Sequence, residues 1–451
     1  MELAGQRILV VGLGASGRAA VRLLTQRGAR VVANDLRDAG ALGDAAEELR
    51  ALGAELVLGS HDAALFTSVD RIVVSPGVPP LAALDAALEA GIPIASEVEL
   101  ASWFLAGTVI AITGTNGKST VTTLVGEMCK RTGRPTFVGG NLGTPLVDVV
   151  ESEASGPEGL AVVELSSFQL ERVDRFRAHV AVLLNVTEDH LDRYGTFAEY
   201  AAAKGRIFHG QRRDDAAVVP AADPFCASLA RAGAAAVLRF GAPDGTVRAE
   251  GGHIIDSETS LSVPISALRL RGGHNVSNAC AAVLAARQVG VAPEDIEAVL
   301  RSFAGLPHRM EHVRDLNGVA YYDDSKATNV GAAVAAIDGL EPMAGRVVLV
   351  AGGKDKGGSY SSLRERLESR GRAVILIGEA APLIEGALNG ATVAIERVGS
   401  MDEAVARARA HALPGDVVLL APACSSYDMF TSYAQRGDVF QRAVGALREG
   451  S

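Results

Sequence analysis

Cysteine is scarce. Four residues, Cys129, Cys226, Cys280 and Cys424, are scattered through 451 positions with no CxxC pair. That argues against a structural zinc site or a disulfide framework and fits a reducing cytosol. Aromatic residues make up only 4% of the chain, with a single Trp, while Ala and Gly abound. Such a composition suits helices packed closely on sheets. Positive charge is not in excess: the formal net charge is −10, so no extended nucleic-acid footprint is expected. No uninterrupted apolar run is long enough to span a bilayer. A strand expected at Arg7–Val11 leaves no room for a signal peptide. Short tandem repeats and a disordered tail are also missing. The expected setting is cytoplasmic, without nucleic acid or membrane.

What is present is a well-filled core and a regular alternation. Hydrophobic residues reach 48%, and the length allows about three domains. Short apolar runs alternate with segments of helical period: Ile8–Val11, Arg30–Ala33, Glu55–Leu58 and Arg71–Val74 in the first third. This βαβ order implies a parallel sheet covered on both faces. The last third restarts it at Val319–Tyr322, Arg346–Val350, Arg372–Ile377, Thr392–Ile395 and Asp416–Leu420. Between them, Gly241–Leu270 is Gly-rich and short-stranded. The expectation is an α/β protein in which two Rossmann-like doubly wound sheets flank a central P-loop-type domain. Boundaries are expected at Ala106-Gly107 and Gly305-Leu306-Pro307, giving 1–106, 107–305 and 306–451.

The most informative stretch is Val109–Thr120, VIAITGTNGKST. A β-branched run ends in Gly114, Thr115, Asn116, Gly117, Lys118, Ser119 and Thr120, and a helical pattern follows. Such a turn aims backbone N–H groups and a helix dipole at one point, which suits phosphate. Lys118 adds a charge for β/γ-phosphates, and the Ser119 or Thr120 hydroxyl can hold Mg²⁺. Ile112 stands where a strict Walker spacing has its first glycine. The bland alternative is a glycine turn with a solvated lysine.

A second glycine loop, Gly12-Leu13-Gly14-Ala15-Ser16-Gly17, follows the first strand, and Asp35 comes 18 residues after Gly17. That context fits a dinucleotide fingerprint, with an acid for a ribose hydroxyl. It does not separate NAD from another nucleotide diphosphate. Arg37, just beyond, can meet a ribose, a base edge or solvent. A simple dehydrogenase has no use for the second, lysine-bearing turn, so the pair suggests a nucleotide-bearing substrate plus ATP.

Further candidates fall at expected strand ends, where open α/β sheets collect ligands. Glu164 ends LAVVEL and can bind Mg²⁺ or form an ion pair. His190 ends NVTEDH and can ligate, transfer a proton or serve structure. Asn141 lies in a third glycine loop, Gly139–Gly143. On its own residues, Lys204 in EYAAAKGRIF is a lysine on a solvated helix face. Asp324-Ser325-Lys326-Ala327-Thr328-Asn329 follows another strand, where Thr328 or Asn329 can cap a helix.

Together GTNGKST, GGNLGTPL, ELSSFQLE, NVTEDHLDRYGTFAEYAAAKGRIF, HNVSNACAA, GLPHRMEHV, DDSKATN and PACSSYDMF resemble the Mur ligases, most closely their D-glutamate-adding branch. The likeness covers essentially the whole chain in order. It implies three domains for a UDP-linked substrate, ATP and an amino acid. On it Gly14, Ala15, Ser16, Asp35, Arg37 and Asn141 belong to the UDP-substrate site. Gly114–Thr120, Asn275, Asn278, Arg309, Asp324 and Lys326 belong to the ATP site. Ser119, Glu164, His190 and Lys204 would serve two Mg²⁺ sites, Lys204 as a carbamate. Lys118, Glu164, His190 and Lys204 form the implied catalytic set. Lys326, Thr328, Lys356, Ser426, Tyr427 and Tyr433 match D-glutamate positions, with Lys354 a rival to Lys356.

The implied reaction joins UDP-N-acetylmuramoyl-L-alanine to D-glutamate through an acyl phosphate made from ATP, in peptidoglycan precursor synthesis. The expected form is a monomer, with hinges near Gly107 and Gly305. Competing readings are a same-fold ligase for another amino acid, a nicotinamide-dependent oxidoreductase, and a non-catalytic nucleotide-switched module.

Overall fold

The computed structural model describes residues 2–191, 193–270, 272–340, 345–357 and 359–448, and every count below refers to these. Three sheets form in chain order. The first comprises β1 (Arg7–Val11), β2 (Arg30–Asp35), β3 (Glu55–Leu58), β4 (Arg71–Val74) and β5 (Ile94–Ser96). They run parallel in the order β3-β2-β1-β4-β5. The order reverses direction beside β1, and ligands of open α/β sheets gather at such a switch point.

The second sheet comprises β6 (Thr108–Thr113), β7 (Thr136–Gly140), β8 (Leu160–Glu164), β9 (Val180–Leu183), β10 (Ala216–Pro220), β11 (Ala236–Gly241), β12 (Val247–Glu250), β13 (His253–Asp256) and β14 (Ser262–Pro264). Its order is β14-β13-β12-β11-β10-β9-β6-β8-β7. β7 through β12 pair in parallel, and β12 meets β13 antiparallel, within the Gly-rich stretch.

The third comprises β15 (Glu311–Leu316), β16 (Val319–Asp323), β17 (Val347–Gly352), β18 (Gly371–Ile377), β19 (Ala394–Arg397) and β20 (Val417–Leu420), ordered β15-β16-β20-β17-β18-β19. Only β15 is antiparallel. Alternate residues of β17 feed two cores: Leu349 and Ala351 face one, Val348 and Val350 the other. Burial on both faces explains why these strands read as unbroken apolar runs.

By compactness the chain forms two units. One takes Met1–Val186, Ala201–Val263 and Ala279–Val299; the other takes Thr187–Tyr200, Pro264–Asn278 and Leu300–Ser451. The first two sheets share a unit because carboxylates of the helix Glu97–Ser102 are tied to the second sheet's connections. Glu99 accepts from the backbone N–H groups of Asp174, Arg175 and Phe176 at 2.9–3.0 Å. Glu97 accepts from Val147 N at 2.6 Å, and Arg22 pairs with Asp148 at 3.1 Å. Gly107, at an expected hinge, sits where a Cβ would lie 2.6 Å from the carbonyls of Gly156 and Gly159. It is a point of close backbone approach.

Burial pushes the Glu97 carboxyl up to about 7, with Asp148 adding to the rise and the Val147 N–H opposing it. The folded protein therefore favours the protonated form. Its contribution is full below the ordinary carboxyl range and is lost as pH climbs to about 7. The expected difference across that window is roughly 3 kcal/mol. Denaturation of wild type and Glu97→Gln at pH 5 and pH 8 checks this. The wild type should lose stability at the higher pH and the variant should stay flatter. Parallel profiles would remove Glu97 from the account.

Candidate active site

In the first unit, the loop after β1 opens the helix Ala15–Gln26, with Gly12 at φ +85°. A Cβ at Gly17 would lie 1.9 Å from Gly12 O, so only glycine lets this helix start so close to the strand. A cavity of about 490 Å³ lies against the loop, lined by Gly12–Ser16, Asp35–Arg37, His61, Ser75–Pro79 and Leu81. Gly14, Ala15, Ser16, Asp35 and Arg37 thus share one wall.

Asp35 is heavily engaged within the protein. One oxygen accepts from Arg37 N and Nε, both at 2.9 Å; the other accepts from Leu13 N and Arg37 Nη2, both at 2.7 Å. Burial alone pushes this carboxyl up, but the Arg37 and Leu13 hydrogen bonds outweigh it and hold it at about 2. Asp35 is an anion that fixes the glycine loop and Arg37.

The phosphate turn lies between β6 and the helix Lys118–Lys130. Gly114 at φ +153° and Gly117 at φ +85° take conformations that L side chains resist. The segment after β9 clamps the turn. Asn185 Oδ1 accepts from Asn116 N at 2.9 Å, Asn185 Nδ2 donates to Asn116 O at 3.1 Å, and Asn185 O accepts from Thr115 N at 3.0 Å. Lys118 Nζ donates to Gly114 O at 2.9 Å and Thr115 O at 2.8 Å. The lysine therefore folds over the turn, not into solvent. Ser119 and Thr120 are both buried.

Lys204 corrects the expectation drawn from its own residues. It is 1% exposed, and its Nζ donates to Gly114 O at 2.8 Å. The helix Phe197–Gly205 turns this lysine inward, with buried Tyr200 and Ala201 beside it in sequence. Two ammonium groups, Lys118 and Lys204, thus meet on one carbonyl oxygen. Glu164 ends β8, next to β6, and is 2% exposed. Its Oε1 accepts from Asn141 Nδ2 at 2.6 Å, and its carbonyl accepts from Asn141 N at 2.8 Å. Lys118, Ser119, Thr120, Asn141, Glu164 and Lys204 are therefore gathered in one unit. A buried carboxylate and a buried hydroxyl at the strand rim are the hard oxygen donors that Mg²⁺ takes.

His190 belongs to the second unit. Its backbone is left-handed at φ +55°, and its N–H donates to Asp189 Oδ1 at 3.0 Å. Within that unit a cavity of about 420 Å³ is lined by Thr187–Asp189, Asn329–Gly331, Val334, Asp355, Lys356, Ser359, Tyr360, Ser362 and Ala423. Lys356 Nζ stands 3.6 Å from Asp189 Oδ1, and Asn329 Nδ2 donates to Asp189 Oδ2 at 3.0 Å. Asn329, not Thr328, caps the helix Val330–Asp338, accepting from Ala332 N at 2.8 Å. Lys354 is exposed and bridges in backbone to Ser425, so Lys356 is the lysine at the cavity.

The remaining candidates are spread by environment. Lys326 Nζ lies 3.8 Å from the centre of the Tyr433 ring. Ser426 is buried, and its Oγ has no partner among the described residues. Tyr427 is 73% exposed. Desolvation pushes the Asp324 carboxyl up to about 7 against the pull of Arg309. Asn278 Nδ2 donates to Asn275 Oδ1 at 3.3 Å.

Sequence reasoning passes over three residues that shape these sites. Arg436, fully buried, donates to Ser325 Oγ, Ser325 O and Cys424 O, fixing DDSKATN to PACSSYDMF. His308 Nδ1 lies 2.7 Å from Asp323 Oδ2. Asn185 is the clamp described above. Asn185 and His308 lie in quoted motifs and Arg436 lies six residues past PACSSYDMF, but nothing local marks a residue whose partner is far along the chain.

A parallel sheet headed by a lysine-bearing glycine turn, with a second glycine-loop cavity in the same unit, defines an α/β protein of P-loop type. Three family models match in turn: a Mur ligase MurD-like N-terminal domain over residues 6–96, a Mur ligase middle domain over 112–286, and a Mur ligase glutamate ligase domain over 308–424. Curated relatives match end to end. The UDP-N-acetylmuramoylalanine–D-glutamate ligase of Desulfosudis oleivorans is 46% identical, covering 100% of this chain and 98% of its own. That of Anaeromyxobacter dehalogenans is 48% identical, covering 98% of each. Solved structures share the fold at lower identity. A pseudomurein peptide ligase type C from Methanothermus fervidus is 20% identical with TM-score 0.63, covering 98% of this chain and 100% of its own. UDP-N-acetylmuramate-alanine ligase MurC from Thermotoga maritima is 19% identical with TM-score 0.60, at the same coverage. The chain belongs to the Mur ligase family. No helix among the described residues is long and apolar enough to cross a membrane.

Proposed function

We propose that this chain is an ATP-dependent ligase that adds D-glutamate to UDP-N-acetylmuramoyl-L-alanine, as a monomer in the cytoplasm. The carrying observation is the end-to-end match to relatives of that name at 46% identity. The turn around Lys118 and the cavity beside Asp35 supply sites of the right chemistry. Residues 1–106 would hold the UDP-linked acceptor, 107–305 ATP and 306–451 the amino acid.

A carboxylate is a poor electrophile, so the acceptor carboxylate takes the γ-phosphoryl group of ATP and becomes an acyl phosphate. The D-glutamate amine attacks that carbonyl, and phosphate leaves. The backbone N–H groups that open the helix at Lys118–Thr120 and the Lys118 ammonium would hold the phosphates and offset charge as the phosphoryl group transfers. Ser119 and Glu164, with Lys204 as a carbamate, would hold one Mg²⁺ and His190 would ligate a second; the metal supplies Lewis-acid stabilisation of phosphate and carbonyl oxygens. A lysine must be neutral to take up CO₂, losing a proton as the N–C bond forms. Arg37 and the Gly14–Ser16 loop would bind the UDP moiety, with Asn141 reaching the acceptor from beside Glu164.

Lys356, Thr328, Ser426 and Tyr433 would bind D-glutamate, and Lys326 would serve both it and ATP. Lys356→Ala should raise the KM for D-glutamate about ten- to a hundredfold with little change in kcat. Lys354→Ala should leave it unchanged. A raised KM in Lys354→Ala with Lys356→Ala unchanged would return the assignment to Lys354. The function itself is tested by offering D-glutamate, L-glutamate, L-lysine and a diamino acid with ATP and the UDP-linked acceptor. Mass spectrometry should find one added glutamyl unit from D-glutamate alone. Addition of another amino acid instead would place the chain in a different branch.

A further inference from the structure

We propose that His61 reads the base of the UDP-linked substrate, accepting the uracil N3–H at its Nε2. This rests on the uridine reading of the first-unit cavity and assigns a specificity-determining residue within it.

The tautomer follows from the neighbours. Asn34 is fully buried, and its Nδ2 donates to Val57 O at 2.7 Å and Ser60 O at 2.8 Å. Only the amide nitrogen can make both bonds, so Asn34 Oδ1 is an acceptor. His61 Nδ1 lies 2.6 Å from that oxygen and must carry the proton. In the neutral ring Nε2 then presents a lone pair. Phe66 meets the ring edge-on, with centroids 6.0 Å apart, and helps hold its plane. Nε2 has no partner among the described residues.

The position fits a base. His61 follows β3, while the glycine loop follows β1, two strands away. That is about 10 Å, the scale of a nucleoside. Both groups line the same cavity. Two of its other polar side chains, Asp35 and Ser75, are already engaged. Asp35 accepts four hydrogen bonds within the protein. Ser75 Oγ donates to Gly12 O at 2.6 Å. Leu36, on the same wall and 66% exposed, offers an apolar surface for a base face. Uracil carries a hydrogen at N3, whereas cytosine has a lone pair there. A neutral Nε2 acceptor therefore favours uracil and opposes cytosine.

The test is calorimetric titration of the full chain with UDP, CDP and N3-methyl-UDP, the phosphate turn being saturated with ADP. The wild type should bind N3-methyl-UDP and CDP about tenfold more weakly than UDP. His61→Phe should lose that preference, and His61→Gln, whose amide can donate to Asn34 and accept from N3–H, should retain part of it. Unchanged ADP binding shows that a variant is folded. Equal wild-type affinity for UDP and N3-methyl-UDP would overturn the role, as would a preference that survives in folded His61→Phe. Failure of the wild type to bind UDP at all would overturn the uridine reading itself, and this role with it.

Discussion

Lys118→Ala should lower steady-state phosphate release by about 10²–10³-fold at saturating substrates. In the folded protein its ammonium already sits over the turn, bonded to Gly114 O and Thr115 O. A charge held there needs little reorganisation when negative charge shifts onto the transferring phosphoryl oxygens. The substitution also removes two hydrogen bonds from the turn, so a fall in activity alone is ambiguous. The Asn185 clamp and the paired strands β6 and β9 remain in the variant. Its melting temperature should therefore stay within a few degrees of wild type. A variant that turns over at the wild-type rate would place the chemistry elsewhere.

Lys204→Ala should be nearly inactive, with a loss of about 10²-fold or more, and small carboxylates such as acetate or formate should restore part of it. The reasoning combines burial with chemistry. A lysine 1% exposed whose Nζ reaches the carbonyl of Gly114 stands at the turn itself, and the family resemblance implies a carbamate at this position. A carbamate there would add an anionic oxygen beside the turn that carries Ser119. Removing the side chain leaves room for a free carboxylate to stand in. Rescue is the decisive part, because a purely structural lysine is not replaced by an anion. Full activity without added carboxylate would remove Lys204 from the site. Inactivity that no carboxylate relieves would leave it the plain role of bracing Gly114.

How much of this was legible beforehand depends on where the partners lie. β1 and β6 stand out because both are buried apolar runs that end in glycine turns. The phosphate turn, the Asp35 loop and the strand-end placement of Glu164 follow from local pattern alone. β7 does not, because Gly139 and Gly140 make Thr136–Gly140 look like part of a loop. The structure requires glycine at both, since a Cβ would lie 2.4 Å from Thr144 O or Glu164 O. β15 is hidden for another reason: it is a charged edge strand with a bulge near Val313. Lys204 shows the sharpest limit. An Ala-rich helix has little contrast between its faces, so sequence cannot tell which way its lysine points. The family resemblance marked Lys204 as functional, and the structure turns it inward onto Gly114 O.

The pairing of Asp35 with Arg37 marks a subtler gap. An acid at the end of the second strand suggests a ribose ligand, yet its oxygens accept four internal hydrogen bonds. Spacing identifies the cavity wall but not which of its groups remain available. His61 emerges only when the hydrogen bonds around Asn34 are counted.

The central claim is that ATP cleavage is tied to joining two acceptors. Its most direct measure is phosphate release followed with ATP and Mg²⁺ while UDP-N-acetylmuramoyl-L-alanine and D-glutamate are omitted in turn. Sustained release should require both, with one phosphate formed per glutamyl bond. Release at the same rate without the UDP-linked acceptor would contradict the account and make the chain a nucleotide hydrolase.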